Sequence, residues 1–254
     1  MVNIIDLSVA LDNESPSEPF PVKIFYSGHG EGYKAWRKRY GIEAVELTHT
    51  HGLGPAWEEI SLNTHSGTHL DSPWHYHPVS EGKLAKTIDE VPLSWCYGDG
   101  VVLDLRHKNS GELITPSDIQ EALDKIKYQL KPMDIVLLMT GSDKRYGHAE
   151  YFEQPGMGRE SILSILDHGV KVIGIDAFAM DRSWKDQESS FKQTRDPQQI
   201  WPAHLAGMTK EYCHIEKLAN LDKIPQPFGF KVAAFPVKIS KASAGWVRAV
   251  AILD

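Results

Sequence analysis

The chain has 254 residues, of which 41% are hydrophobic and 24% charged, with a formal net charge of -7. That length suits one globular α/β domain with a single sizeable core. The acidic balance excludes a general affinity for nucleic acid or an anionic membrane, and no stretch is apolar for long enough to span a bilayer.

The first seven residues lack a basic start followed by a long apolar run, so no signal peptide is expected. The only cysteines, Cys96 and Cys213, form no CxxC pair and read as buried thiols in a reducing, cytoplasmic setting. Residues 3–10 predict a first strand, with Ile4, Ile5, Leu7 and Val9 apolar. Three prolines then exclude regular structure from Asp12 to Pro21. Phe20, between two of them, either lines a pocket or anchors the loop. The glycines of residues 28–56 follow no strand in a dinucleotide-binding pattern, so a phosphate loop is rejected. Lys34 to Tyr40 reads as a solvated helix face, and His49 and His51 as surface histidines.

Trp57 to Leu62 predicts a strand leading to the most informative stretch, His65-Ser66-Gly67-Thr68-His69-Leu70-Asp71-Ser72-Pro73-Trp74-His75. Imidazole nitrogen and carboxylate oxygen suit a borderline divalent cation such as Zn²⁺ or Mn²⁺. Gly67, Ser72 and Pro73 disfavour a helix through the whole stretch, so an irregular loop folded around an ion is expected. Further on, Ala85 to Val91 predicts a short helix and Val101 to Leu105 a buried strand. Thr115, Pro116 and Asp118 form a helix start: N-cap, first helical position and an acidic residue near the positive dipole end. Asp134 to Gly141 predicts a strand, Gly158 to His168 a helix closed by Gly169, and Val170 to Asp176 another strand. Arg182 to Arg195 reads as an exposed polar loop. Residues 230–235 and 245–253 predict strands with no helix between them. The expected fold is therefore α/β, a single domain over residues 1–254, with a mixed sheet: parallel in its middle, antiparallel towards the end of the chain.

A three-ligand loop needs help from elsewhere, and His204 with Glu216 is the group to seek first. Taken alone, each has a plainer reading, a buried imidazole and a solvated carboxylate. His77, His148, His168 and His214 read as structural or exposed. Trp74, next to His75, is the best candidate for stacking on an aromatic substrate. No GxSxG elbow is present, which disfavours a serine nucleophile.

These residues carry a resemblance. The chain resembles the cyclase family of metal-dependent hydrolases, which includes bacterial kynurenine formamidase and isatin hydrolase. The matching residues are Ile5-Asp6-Leu7-Ser8, then His65-x-Gly67-Thr68-His69-x-Asp71-x-Pro73-x-His75, then Gly174-Ile175-Asp176-Ala177. A distal segment follows, with His204 and Glu216-x-Leu218-x-Asn220-Leu221. The resemblance implies a swivelling β/β/α fold. It implies that His65, His69 and Asp71 bind a first ion, that His204 binds a second, and that Asp71 and Glu216 are shared. One or two ions per chain, Zn²⁺ or Mn²⁺, follow from it. It makes His75 the catalytic acid/base, and places Phe20 where formamidases usually carry a substrate-contacting Trp. Residues 24–55 and 182–200 look like additions to a typical formamidase. A homodimer or homotetramer is implied as well.

Beside the resemblance stands the chemistry. A divalent ion polarises a carbonyl and lowers the pKa of bound water to about 7. A nearby histidine can take a proton from that water and return it to a leaving amine. The expected substrate is a small amide, cyclic amide or lactone. The competing expectation is a non-catalytic, metal-stabilised binding module. A structural site is closed by protein ligands and a catalytic one keeps an open position; His75, outside the ligand set, favours catalysis.

Overall fold

The computed structural model describes residues 2–253. Its main sheet has nine strands, in the order Asn3–Asp6, Val250–Leu253, Phe228–Ala233, Tyr97–Asp104, Ile135–Met139, Val172–Ile175, Cys213–Glu216, His69–Asp71 and Ala244–Trp246. The four from Tyr97–Asp104 to Cys213–Glu216 run parallel to one another. The flanking pairs are antiparallel. The mixed α/β sheet expected from the alternation of elements is thus present.

Parallel strands covered on both faces read as continuous apolar runs, and these do. Val101, Leu103, Val136, Leu138, Ile173 and Ile175 enter one buried layer with Ile119, Leu123, Ile162 and Ile165 of the helices Pro116–Ile126 and Arg159–Leu166. Val102, Ile135, Leu137 and Val172 enter a second layer with Leu7, Phe230, Val232 and Ala251. Both helices begin within a residue of their predicted starts. Thr115 accepts from the Asp118 backbone N–H at 3.3 Å, and the Asp118 carboxylate accepts from the Thr115 N–H at 2.7 Å. Gly169 lies past the second helix at φ +81.

Cα packing divides the chain into two compact units: the residues up to Ala10 with Thr64 onward, and Leu11–Asn63. The second holds a hairpin of Lys23–Ser27 with Trp57–Ser61 and the helix His29–Tyr40, whose basic residues face solvent. Two of its glycines have a packing reason. A Cβ on Gly32 would lie 1.9 Å from the Pro55 carbonyl oxygen, and one on Gly54 2.2 Å from the Gly32 carbonyl carbon.

Four expectations need correction. The 65–75 stretch is not one irregular loop: His69–Asp71 is a sheet strand paired on both sides, and Pro73–Tyr76 is one helical turn. Arg182 to Arg195 is not a loop but contains the helix Trp184–Thr194, because Ser183 caps it by accepting from the Asp186 N–H at 3.1 Å. The 245–253 run is two strands. Ala244–Trp246 pairs with His69–Asp71, and Val250–Leu253 pairs with the first strand and Phe228–Ala233. Around the break, the Val247 N–H turns to the Thr68 carbonyl at 3.1 Å, and the Ala249 carbonyl accepts from Leu7 at 2.9 Å. Of the helix expected at 85–91, a single turn at Ile88–Glu90 forms.

Candidate metal centre

Strand register builds the centre. His214 lies opposite Asp71, Ile215 opposite Leu70, and Glu216 opposite His69. Alternate residues of a strand share a face. His69, Asp71, His214 and Glu216 therefore converge from two adjacent strands, while Leu70 and Ile215 enter the apolar layer on the other side. Gly67, at φ +62, turns the chain so that His65 returns to the same place. Pro73 opens the turn of helix that carries His75, and Pro202 opens the one that carries His204.

Each carboxylate faces two ways. Asp71 Oδ1 is 2.8 Å from His65 Nδ1 and 3.2 Å from His69 Nε2, and Glu216 Oε2 is 3.6 Å from His69 Nε2. On the other side, His214 Nε2 is 2.9 Å from Asp71 Oδ2 and 3.2 Å from Glu216 Oε1. His204 Nε2 is 3.9 Å and 3.7 Å from the same two oxygens. His75 Nε2 stands 3.7 Å from Asp71 Oδ2.

The hydrogen inventory tests whether these residues fit a cation. His69 Nδ1 is 2.8 Å from the Gly67 carbonyl oxygen, which can only accept. Its proton is therefore on Nδ1, and Nε2 turns a lone pair inward. That atom is fully buried and has no hydrogen-bond partner. His204 repeats the pattern: Nδ1 donates to the buried Asp181 carboxylate, leaving the Nε2 lone pair facing Asp71 and Glu216. Such outward bonds to a carbonyl or carboxylate are what orient metal-binding imidazoles. Lone pairs and carboxylate oxygens that meet in a buried space favour a cation between them, and the set fits a divalent metal.

The electrostatics agree. Burial opposes ionisation of Asp71, but the surrounding histidines hold its carboxyl well below the usual range. Burial opposes ionisation of Glu216 too, yet the hydrogen bond from His214 helps bring it down to about 2. Burial pushes His75 down to about 3 against the pull of Asp71. Burial also disfavours the His214 cation, but hydrogen bonds to Asp71 and Glu216 outweigh it and hold that imidazole at about 9.

Comparison with known sequences now decides the family. Residues 5–182 match the family described as "Putative cyclase". The chain belongs to the cyclase family. Isatin hydrolase of Roseibium aggregatum is 24% identical over 224 residues, covering 84% of this chain and 81% of that one. Kynurenine formamidase of Salinibacter ruber is 28% identical over 195 residues, covering 75% and 77%. The cyclase fold is also that of an isatin hydrolase crystal structure bound to the product analogue thioisatinate. That structure gives a TM-score of 0.76 at 21% identity, covering 99% of this chain and 92% of the other.

In this chain the six residues singled out for metal binding and proton transfer come together: His65, His69, Asp71, His75, His204 and Glu216. Trp74 is 39% exposed, and Phe20, in the Leu11–Asn63 unit, is 54% exposed. His148 and His168 are exposed and His77 is half-buried.

The sequence reading missed three residues. His214 lies in the cluster; its signal was the His-x-Glu alternation with Glu216 on a strand. Asp181 holds His204, and nothing local marks it. Trp201 stacks on His204 with ring centroids 4.5 Å apart and lies 5.3 Å from His75. It adopts φ +52 with its N–H bonded to the buried Gln187 side chain at 2.8 Å, which ties the Trp184–Thr194 helix to the centre.

Proposed function

We propose that this chain is a metal-dependent hydrolase of a small amide or cyclic amide, acting on C–N bonds other than peptide bonds, or of a lactone, whose C–O bond would break in the same way. The observation that carries the reading is a buried convergence of imidazole lone pairs and ionised carboxylates, with a neutral histidine beside it. The resemblance to an isatin hydrolase and a kynurenine formamidase supplies the substrate class.

His65, His69 and Asp71 would hold one ion, and His204 with Asp71 and Glu216 a second; oxygen and imidazole donors suit Zn²⁺ or Mn²⁺. When bound, such an ion polarises a carbonyl and lowers the pKa of a bound water to about 7. The rest of the chemistry belongs to the chain. His75, held at about 3, is neutral at pH 7 and free to take a proton from the water that adds to the carbonyl carbon. Negative charge growing on the carbonyl oxygen, together with Asp71, favours the imidazolium. The proton then passes to the leaving nitrogen as the C–N bond breaks. The carbonyl carbon gains a hydroxyl and the amine gains a hydrogen. Trp74, beside His75, is the aromatic side chain offered to the substrate.

Two buried free cysteines suit a reducing cytoplasm. Among the described residues, no helix is long and apolar enough to cross a membrane. A homodimer or homotetramer, and the treatment of residues 1–254 as one domain, belong to the same reading; light scattering tests the assembly.

His75→Ala separates binding from turnover. It should keep its metal by elemental analysis and lose about 10²–10⁴-fold in kcat, the usual share of acid–base catalysis. A variant with undiminished turnover removes His75 from the mechanism.

A further inference from the structure

His214 stands in the centre without an assigned part, and its hydrogen bonds repeat those of its neighbours. Its Nδ1 is 3.3 Å from the Tyr212 hydroxyl oxygen, and Tyr212 spends its own proton on the Ala203 carbonyl at 2.9 Å. The Tyr212 oxygen is thus left to accept from His214 Nδ1–H, and His214 Nε2 faces Asp71 Oδ2 at 2.9 Å, where a bound cation would take the place of its proton. His69 and His204 are arranged in the same way. The Tyr76 ring stacks on His214 at 5.0 Å and fixes its plane.

We propose that His214 is a fourth protein ligand of the inner site. Asp71 Oδ2, His204 Nε2, His214 Nε2 and Glu216 Oε1 then form a closed four-donor site for a divalent cation. Their side chains are 0%, 4%, 0% and 8% exposed. The four nitrogen-to-oxygen separations among these donors, 2.9, 3.2, 3.7 and 3.9 Å, bracket the roughly 3.3 Å edge of a tetrahedron with bonds of about 2.0–2.1 Å. All four ligand atoms lie within 4.8 Å of one another. The outer side differs: its ligand His65 is 21% exposed, as is His75 beside it, so that side keeps access to solvent. A site closed by four protein ligands holds its ion as part of the structure, whereas an open one exchanges and reacts. The two ions therefore have different parts. An inner ion would be resident and fix the carboxylates, and an outer one would lie on the side open to solvent and substrate.

The inference rests on the reading of the cluster as a metal centre, and its test does not use activity. The full chain is loaded with Zn²⁺, dialysed against a chelator, and its metal counted by elemental analysis. Wild type should hold two equivalents when loaded and one after dialysis. His214→Ala should hold one when loaded and none after the same dialysis, whereas His69→Ala should lose the exchangeable equivalent and keep the resistant one. His214→Ala with the wild-type counts, or a wild type that never holds more than one ion, overturns the proposal. In the latter case His214 acts as a fixed cation in place of a metal. Should His214→Ala fail to fold, X-ray absorption on wild type with its chelator-resistant zinc decides. Two imidazoles in the first shell are expected, and a single imidazole contradicts the assignment. Absence of hydrolysis with these counts intact would sink the hydrolase reading alone.

Discussion

Asp181→Asn is the most informative single change, because it alters a proton rather than a ligand. The Asp181 carboxylate accepts from three donors: the Ala203 N–H at 2.8 Å, the His204 N–H at 3.3 Å, and His204 Nδ1. Asparagine is nearly the same shape and can still accept at the helix N-terminus through its carbonyl oxygen. Its NH₂ group cannot accept from Nδ1–H. To satisfy that amide, His204 must move its proton to Nε2, which removes the lone pair that faces Asp71 and Glu216. Loss of such a supporting contact costs about 10–100-fold in metal affinity, or about 1.4–2.7 kcal/mol. The assay is a competitive chelator titration of the Zn²⁺-loaded protein, with circular dichroism to confirm the fold. The loss should fall on the inner ion, with the outer affinity less affected. Wild-type affinity at both sites would refute the idea that Asp181 sets the His204 tautomer.

Two predictions concern the scaffold. Thr115→Ala removes the N-cap of Pro116–Ile126 and should cost about 1 kcal/mol, lowering Tm by roughly 2–4 °C with metal content unchanged; an unshifted melting curve would remove the cap from the account. Burial pushes the Asp176 carboxyl up to about 6, against hydrogen bonds from Thr140 and Gly141. With an unfolded pKa of about 3.9, its favourable contribution is full below pH ~4 and is lost as pH rises through about 6. The stability of Asp176→Asn relative to wild type should therefore improve by up to about 3 kcal/mol from pH 4 to 7. A flat difference in urea unfolding across that range would contradict it.

How much of this was legible in the sequence depended on whether the signal was local. The Thr115-Pro116-Ser117-Asp118 start is a contact within one turn, so residue types alone locate it. The apolar runs at 101–105, 134–141 and 170–176 reflect burial on both faces, and periodicity reports that directly. The signature from His65 to His75 is compact enough to read as a group of ligands. The rest depended on pairing between distant segments. His214 becomes part of the centre only because the Cys213–Glu216 strand lies against His69–Asp71 in one register. Asp181 matters through a histidine more than twenty positions away, and Trp201 through Gln187. The helix at Trp184–Thr194 was readable in principle from Ser183 and Asp186, but its polar composition hid it.

The most direct test of the central claim is metal-dependent turnover. The full chain, stripped by a chelator and then reloaded with Zn²⁺ or Mn²⁺, is assayed on a panel of aryl formamides, cyclic imides, isatin and lactones, with metal content measured in the same samples. Hydrolysis of at least one amide or cyclic amide should vanish on stripping and return on reloading. No turnover of any member by protein that demonstrably holds its metal would contradict the account and favour a binding module.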